Sequence, residues 1–259
     1  ICEKITIDNK IIVAKYYEKF EKHNKFNAII SESNSLNFLH KKGYIIFPKV
    51  LHVDKHIMII EYIDHDTKKV NLKNTNFLKK LINLHSYKSN KFGFKFDSQH
   101  GGMRQINKET SNWVNFFCNQ RLIKIYEEIS KTNPLPIEVS KKIENLIKNI
   151  ESLIPKNPTP SLLHGDLWKG NILFKNNQLV GLIDPGIFFG HNEMELAYLR
   201  FFNFVNKDFL SEYNNFIKIN EDYYKYESIY KLYYSLINVH LWSRDYVENT
   251  YNLLKELKL

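Results

Sequence analysis

Over the first sixty positions, apolar residues come in short β-branched and aromatic runs rather than in long amphipathic stretches. Residues 11–17, Ile-Ile-Val-Ala-Lys-Tyr-Tyr, form one such run and predict a strand. Residues 27–41 differ. Ile29, Ile30, Leu36 and Leu39 fall at helical spacing there, and Gly43 supplies the stop. After Pro48, residues 50–53 and 57–63 read as two strands joined by a turn at Lys55-His56, a β-hairpin. The stretch from Asp64 to Lys69 is polar and reads as a linker. Helical periodicity then dominates, over residues 77–85, 113–129 and 137–154, with a Pro-rich turn at 155–160. Two short strands at 172–174 and 179–183, joined at Asn176-Asn177, interrupt the pattern before a helical tail from Met194 to Leu257.

This order predicts an α+β protein of two lobes. Residues 1–64 would form a small mixed β/α lobe. Residues 65–259 would form a larger, mainly helical lobe holding one β-hairpin. The 259 residues are 43% hydrophobic and 25% charged, as in globular chains. No run of about 18 apolar residues predicts a membrane span. Two cysteines, Cys2 and Cys118, make no disulfide framework and lack zinc-ligand spacing, so a reducing, cytoplasmic setting is expected. The net charge of +9 could suggest nucleic acid. However, Arg104, Arg121, Arg200 and Arg244 are the only arginines, and the lysines are spread along the whole chain. That is a drift in composition rather than a patch, and neither a nucleic-acid nor a membrane partner is expected.

Candidate chemistry is densest between His164 and Asp184. Asp166 and Asn171 lie five positions apart, just before the strand at Ile172, and Asp184 ends the next strand. A carboxylate and an amide oxygen on adjacent strand ends suit Mg²⁺, with water and substrate phosphates completing its shell. Asp166 is then left to orient a hydroxyl and accept its proton. Asp and Asn also favour turns, but three of them in this order, with strands between, reproduce the spacing of kinase catalytic and metal-binding residues. Here the motifs read His164-Gly165-Asp166 and Asp184-Pro185-Gly186, which points away from protein kinases toward small-molecule kinases. Lys15, set among apolar neighbours in a strand, and Glu32, on the following helix, fit the pair that holds nucleotide phosphates. Glu61, Tyr62 and Ile63 end the hairpin where backbone groups could meet adenine. Residues 1–14 contain no glycine, and the chain does not begin with Met. A phosphate-covering glycine loop is therefore expected either upstream of Ile1, with the small lobe truncated, or lost.

Almost the whole chain from Lys15 onward resembles the fructosamine kinase (ketosamine-3-kinase) family of aminoglycoside-phosphotransferase-like kinases. The resemblance is strongest over Leu162-Leu163-His164-Gly165-Asp166-Leu167-Trp168 and over Ile183-Asp184-Pro185-Gly186-Ile187-Phe188-Phe189-Gly190. Glu193 to Ala197, Phe92-Gly93-Phe94, Gln105, Asn107, Trp113, Phe116-Phe117 and Arg121-Leu122 also match, as do Leu232-Tyr233, Asn238 and His240. The resemblance implies a bilobal protein-kinase-like fold, with nucleotide bound by the lobe of residues 1–64 and the catalytic loop and substrate site in that of residues 65–259. It implies ATP and Mg²⁺ as cofactors, Asp166 as proton acceptor, and Asn171 and Asp184 as Mg²⁺ ligands. It further implies Lys15 and Glu32 as the phosphate-holding pair, Glu61 to Ile63 as the adenine hinge, and Trp168 against the sugar. The reaction implied is γ-phosphoryl transfer to the 3-hydroxyl of a ketosamine, free or protein-bound, in deglycation. The chain departs from the family pattern at Ser98-Gln99-His100-Gly101-Gly102, at Phe202-Asn203-Phe204 and at Leu241-Trp242-Ser243. A kinase of another small hydroxyl compound, aminoglycoside- or choline-like, and a nucleotide-binding pseudokinase are the alternatives.

Overall fold

A computed structural model describes residues 1–17, 26–67 and 70–257; Lys68 and Lys69, the last two positions of the expected linker, lie outside them. The chain divides into two compact units. The first gathers Ile1–Leu81, Phe96–Gln105 and His164–Ile187, and the second Ile82–Lys95, Ile106–Leu163 and Phe188–Leu259.

In the first unit, β1 (Cys2–Ile7), β2 (Lys10–Tyr16), β3 (Val50–Val53) and β4 (Ile57–Glu61) make an antiparallel sheet in the order β1-β2-β4-β3. The β1–β2 turn is Asp8-Asn9, with φ of 49° and 62°. A two-residue hairpin loop needs this left-handed backbone, and short Asx side chains tolerate it. The expected β3–β4 hairpin is present. Asp54 closes it by accepting hydrogen bonds from the backbone N–H groups of His56 and Ile57.

Helix α1 (Ala28–Lys41) begins where the Asn27 side chain accepts the Ile30 N–H, an N-cap bond. Its core-facing stripe is Ile29, Glu32, Leu36 and Leu39. Glu32 thus occupies a position where helical periodicity calls for an apolar residue, and it is 6% exposed. Helix α2 (Phe77–His85) matches its predicted span and crosses the point where the chain passes from the first unit to the second.

Two further hairpins complete the first unit. One, β5 (Ser98–His100) with β6 (Met103–Gln105), was not legible as strands; its turn is Gly101-Gly102, with φ of 54° and 88°. Ser98, Gln99 and His100 are polar yet all buried, so hydropathy gives no hint of them. Packing against α1 places them, and the Ser31 hydroxyl donates to the Asp97 carbonyl at 2.9 Å.

In the second unit, the helix expected at 113–129 is α3 (Trp113–Phe117), a wide π turn at Cys118–Leu122, and α4 (Ile123–Thr132). Helix α5 (Ile137–Leu153) follows. Strand β7 (Ser161–Leu163) pairs with β10 (Phe188–Gly190), while β8 (Ile172–Lys175) and β9 (Gln178–Leu182) form the remaining hairpin, in the first unit. The β8–β9 turn is the predicted Asn176-Asn177, again left-handed. The helical tail is α6 (Asn192–Phe201), α7 (Lys207–Asn214), α8 (Tyr223–Leu241) and α9 (Tyr246–Glu256).

Tyr223, Tyr226, Tyr230, Tyr233 and Tyr234 on α8 are buried in the core of the second unit, as packing residues. There the Trp113 indole donates to the Tyr230 hydroxyl at 2.9 Å. The Arg121 guanidinium lies 4.6 Å from the Phe116 ring and 4.2 Å from the Phe188 ring, and it donates to the Ile106 carbonyl and Asn107 Oδ1. Among the described residues, no helix is long and apolar enough to cross a membrane.

Candidate active site

Every residue singled out for chemistry lies in the first unit. Lys15 projects from β2, and its Nζ lies 2.6 Å from Glu32 Oε1 and 2.5 Å from Asp184 Oδ1. The Lys15 side chain is 13% exposed. Burial opposes its charge, but Glu32 and Asp184 outweigh that and hold the ammonium well above its ordinary pKa. Glu32 is pushed up to about 7, first by its burial; Lys15 pulls it down, and the carboxylates of Asp184 and Asp166 add to the rise. The strand Lys and helix Glu read from the sequence are therefore in contact, and Asp184 joins them from far along the chain.

Asp184 stands just past β9 with φ of 58°. A non-glycine residue takes that region at a cost that is smallest for Asp and Asn, and such conformations gather where surrounding structure dictates them. Here Lys15 holds the side chain, and the Ile183 N–H donates to the Asn171 carbonyl at 3.1 Å, tying this segment to the loop before β8.

That loop runs from His164 to Asn171. The His164 ring stacks on Phe47, and its Nδ1 accepts the Asp166 N–H, so His164 shapes the backbone. Gly165 has φ of 87°, and a Cβ there would stand 2.1 Å from the Gly186 carbonyl oxygen. A Cβ on Gly186 would in turn stand 1.9 Å from the Gln99 carbonyl oxygen. Loop, Asp184 segment and β5 thus touch backbone to backbone, an approach that only glycine permits.

Asp166 is buried, at 7% exposure. Asn171 Nδ2 donates to the Asp166 carbonyl at 2.8 Å. That bond assigns Nδ2 as the end that donates and leaves Oδ1 as the ligand-type oxygen. The Asp184 side chain is 38% exposed. One carboxylate and one oriented amide oxygen fit Mg²⁺, which takes its other ligands from phosphate and water. Among the described residues no cluster of three or more His, Cys, Asp or Glu forms a protein-only metal cage, and a phosphate-bridging Mg²⁺ does not need one.

Trp168 is half-buried. A Cβ on Gly170 would fall 2.4 Å from its ring, so the ring lies against bare glycine backbone. At the other end of the unit, Glu61 ends β4 and its Oε2 accepts the Lys49 N–H. Lys4 Nζ sits 4.2 Å over the Tyr62 ring, and the Ile63 carbonyl accepts from His65 Nδ1 at 2.9 Å. The Ile63 side chain covers Gly181 of β9.

One site neighbour was not foreseen. His100, on β5 and 2% exposed, brings Nε2 to 3.3 Å from Asp166 Oδ1 and Nδ1 to 3.2 Å from the Gly165 carbonyl. The sequence offered one signal, the departure from the family pattern over residues 98–102.

The sequence model of the fructosamine kinase family matches residues 4–259. The chain belongs to that family. A probable ketoamine kinase of Enterococcus faecium is 30% identical over 179 residues, 68% of this chain and 64% of that protein. Arabidopsis thaliana protein-ribulosamine 3-kinase, chloroplastic, is 28% identical over 204 residues, 77% of this chain and 61% of that protein. The chain thus spans somewhat less than two thirds of these relatives. The crystal structure of a Thermobifida fusca YX-ER1 protein assigned as a fructosamine-3-kinase superposes with a TM-score of 0.84 at 20% identity, covering 100% of this chain and 93% of that one. The fold is accordingly the expected α+β, protein-kinase-like fold of small-molecule kinases.

Proposed function

We propose that this fructosamine kinase family member transfers the γ-phosphoryl group of ATP to the 3-hydroxyl of a ketosamine, free or protein-bound. The observation that carries the proposal is the assembly of five separated residues within one compact unit. Lys15, Glu32 and Asp184 form a chain of ion pairs, and Asp166 and Asn171 are joined by a hydrogen bond.

In this reading Lys15, braced by Glu32, holds the nucleotide phosphates, and the backbone of Glu61 to Ile63 meets the adenine. Asn171 and Asp184 would hold Mg²⁺, which neutralises charge on the phosphates when bound. Asp166 accepts the proton of the attacking hydroxyl as that oxygen bonds to the γ-phosphorus and the bond to ADP breaks. Trp168, half-buried beside Gly170, would present an aromatic face to the sugar. A lobe division at residue 64, with nucleotide on the N-terminal side and the catalytic loop and substrate on the other, belongs to the same proposal, although residues 164–187 pack in one compact unit with residues 1–81. So does a cytoplasmic setting, which the two free cysteines suit.

An acceptor other than a ketosamine, aminoglycoside- or choline-like, is favoured by one observation. His100, in a stretch that departs from the family pattern, stands beside the proposed proton acceptor. A coupled assay of ADP release with fructosyl-lysine and ribulosyl-lysine tests the proposal. ADP release that depends on either compound is the expected result; release only with an aminoglycoside or choline supports the second reading. No acceptor-dependent release at all defeats both.

A further inference from the structure

The His100–Asp166 contact has a chemical consequence that follows from hydrogen-bond inventory alone. A carbonyl oxygen only accepts, so the bond to Gly165 requires hydrogen on His100 Nδ1. In a neutral imidazole the other nitrogen, Nε2, is then an acceptor. Facing a carboxylate oxygen, it would set lone pair against lone pair in a place that is 2% exposed. The contact is favourable when Nε2 also bears hydrogen and donates to Asp166 Oδ1. At 3.3 Å the contact is longer than a charge-assisted hydrogen bond usually is, and catalytic hydrogen bonds commonly tighten only with substrate in place.

The hairpin that carries His100 is built to hold it still. Gln99 Oε1 accepts the Gly102 N–H, Gln105 Nε2 donates to the Gln99 carbonyl, and the Gln99 carbonyl lies against Gly186. The imidazole can then fix a carboxylate in one rotation, because its own backbone is wedged between α1 and the Asp184 segment.

We propose that His100 is a positioning residue for Asp166, its Nε2 hydrogen tying down Oδ1 and so setting the plane in which the carboxylate meets the acceptor hydroxyl. This rests on the transfer reaction proposed above. It also gives the unusual stretch at residues 98–102 a role in the rate of that reaction.

Three substitutions separate this role from a structural one. His100→Leu removes both contacts. His100→Gln places an amide N–H near the position of Nε2 and can restore the Asp166 contact alone. His100→Asn places one near Nδ1 and can restore the Gly165 contact alone. In the coupled assay on the full chain, His100→Leu is expected to lower kcat by about tenfold to a hundredfold, with KM for ATP within about twofold of the parent. His100→Gln is expected to recover most of that loss and His100→Asn little of it. Recovery by Asn rather than Gln, or a kcat for His100→Leu within about twofold of the parent, overturns the proposal.

The pairing can be read apart from turnover. The imidazole nitrogen resonances of His100, assigned by their loss in His100→Gln, should shift in Asp166→Asn. Resonances unchanged by Asp166→Asn overturn the pairing, whereas an inactive parent chain defeats only the reaction.

Discussion

Two of the buried histidine–carboxylate pairs, one taken from each unit, differ in what their surroundings supply. In the second unit His85 Nε2 lies 2.9 Å from Glu195 Oε2, both side chains being 0% exposed, and His85 Nδ1 lies 2.8 Å from the Tyr213 hydroxyl. Burial pushes the Tyr213 hydroxyl far above its ordinary pKa, so it keeps its hydrogen. It can donate to Nδ1 while accepting from Asn192 Nδ2 at 3.0 Å. A neutral His85, donating from Nε2 to Glu195, satisfies these bonds. The network is complete as it stands and has the character of a structural tie.

In the first unit the equivalent second contact of His100 is a carbonyl, which cannot donate, and the carboxylate belongs to a loop beside a half-buried tryptophan. A change of one partner, from hydroxyl to carbonyl, leaves His85 Nδ1 facing a group that can donate and His100 Nδ1 facing one that only accepts. Burial and ion pairing alone would have ranked the two alike.

The comparison can be broken most sharply at Asp166. Asp166→Asn should lower kcat by about a thousandfold in the coupled assay, with ATP affinity by calorimetry within about twofold. An unchanged kcat would show that Asp166 is not the proton acceptor. Next in size, His85→Leu should leave Glu195 buried without its hydrogen-bond donor and cost about 3 kcal/mol in urea unfolding. The kcat of the folded fraction should stay within about twofold, and a large loss of kcat without loss of stability would reverse the roles given to the two pairs.

Gly165→Ala should cost about 2 kcal/mol or more, because its left-handed backbone and a Cβ contact at 2.1 Å act together. Urea unfolding reads this directly, and an unaltered midpoint would mean that the loop does not depend on the close approach to Gly186. The smallest effect is expected at Trp168. Trp168→Ala should raise the acceptor KM about fivefold, as for the loss of roughly 1 kcal/mol of ring contact, while KM for ATP stays level. A rise in KM for ATP instead would move Trp168 to the nucleotide side.

Much of this arrangement is written in the chain itself. The Asn27 cap, the left-handed Asp8-Asn9 and Asn176-Asn177 turns, and the helical period of residues 27–41 follow from local chemistry. The order Lys15, Glu32, Asp166, Asn171, Asp184 is legible for a related reason. Lys15 and Glu32 each break a local pattern, a lysine inside an apolar strand and a glutamate on the buried stripe of α1, whereas Asp166, Asn171 and Asp184 are legible from their spacing around two predicted strands. What the chain could not show is which distant groups satisfy those polar intruders. Lys15 meets Asp184 across 169 positions, and His100 meets Gly165 across 65. The strand Ser98-Gln99-His100 is polar yet buried, so a pattern that equates burial with hydrophobicity passes over it. Apolar burial is specified by composition and period, both local properties. Burial of a polar group costs free energy unless a partner meets it, and only the folded chain decides which partner that is.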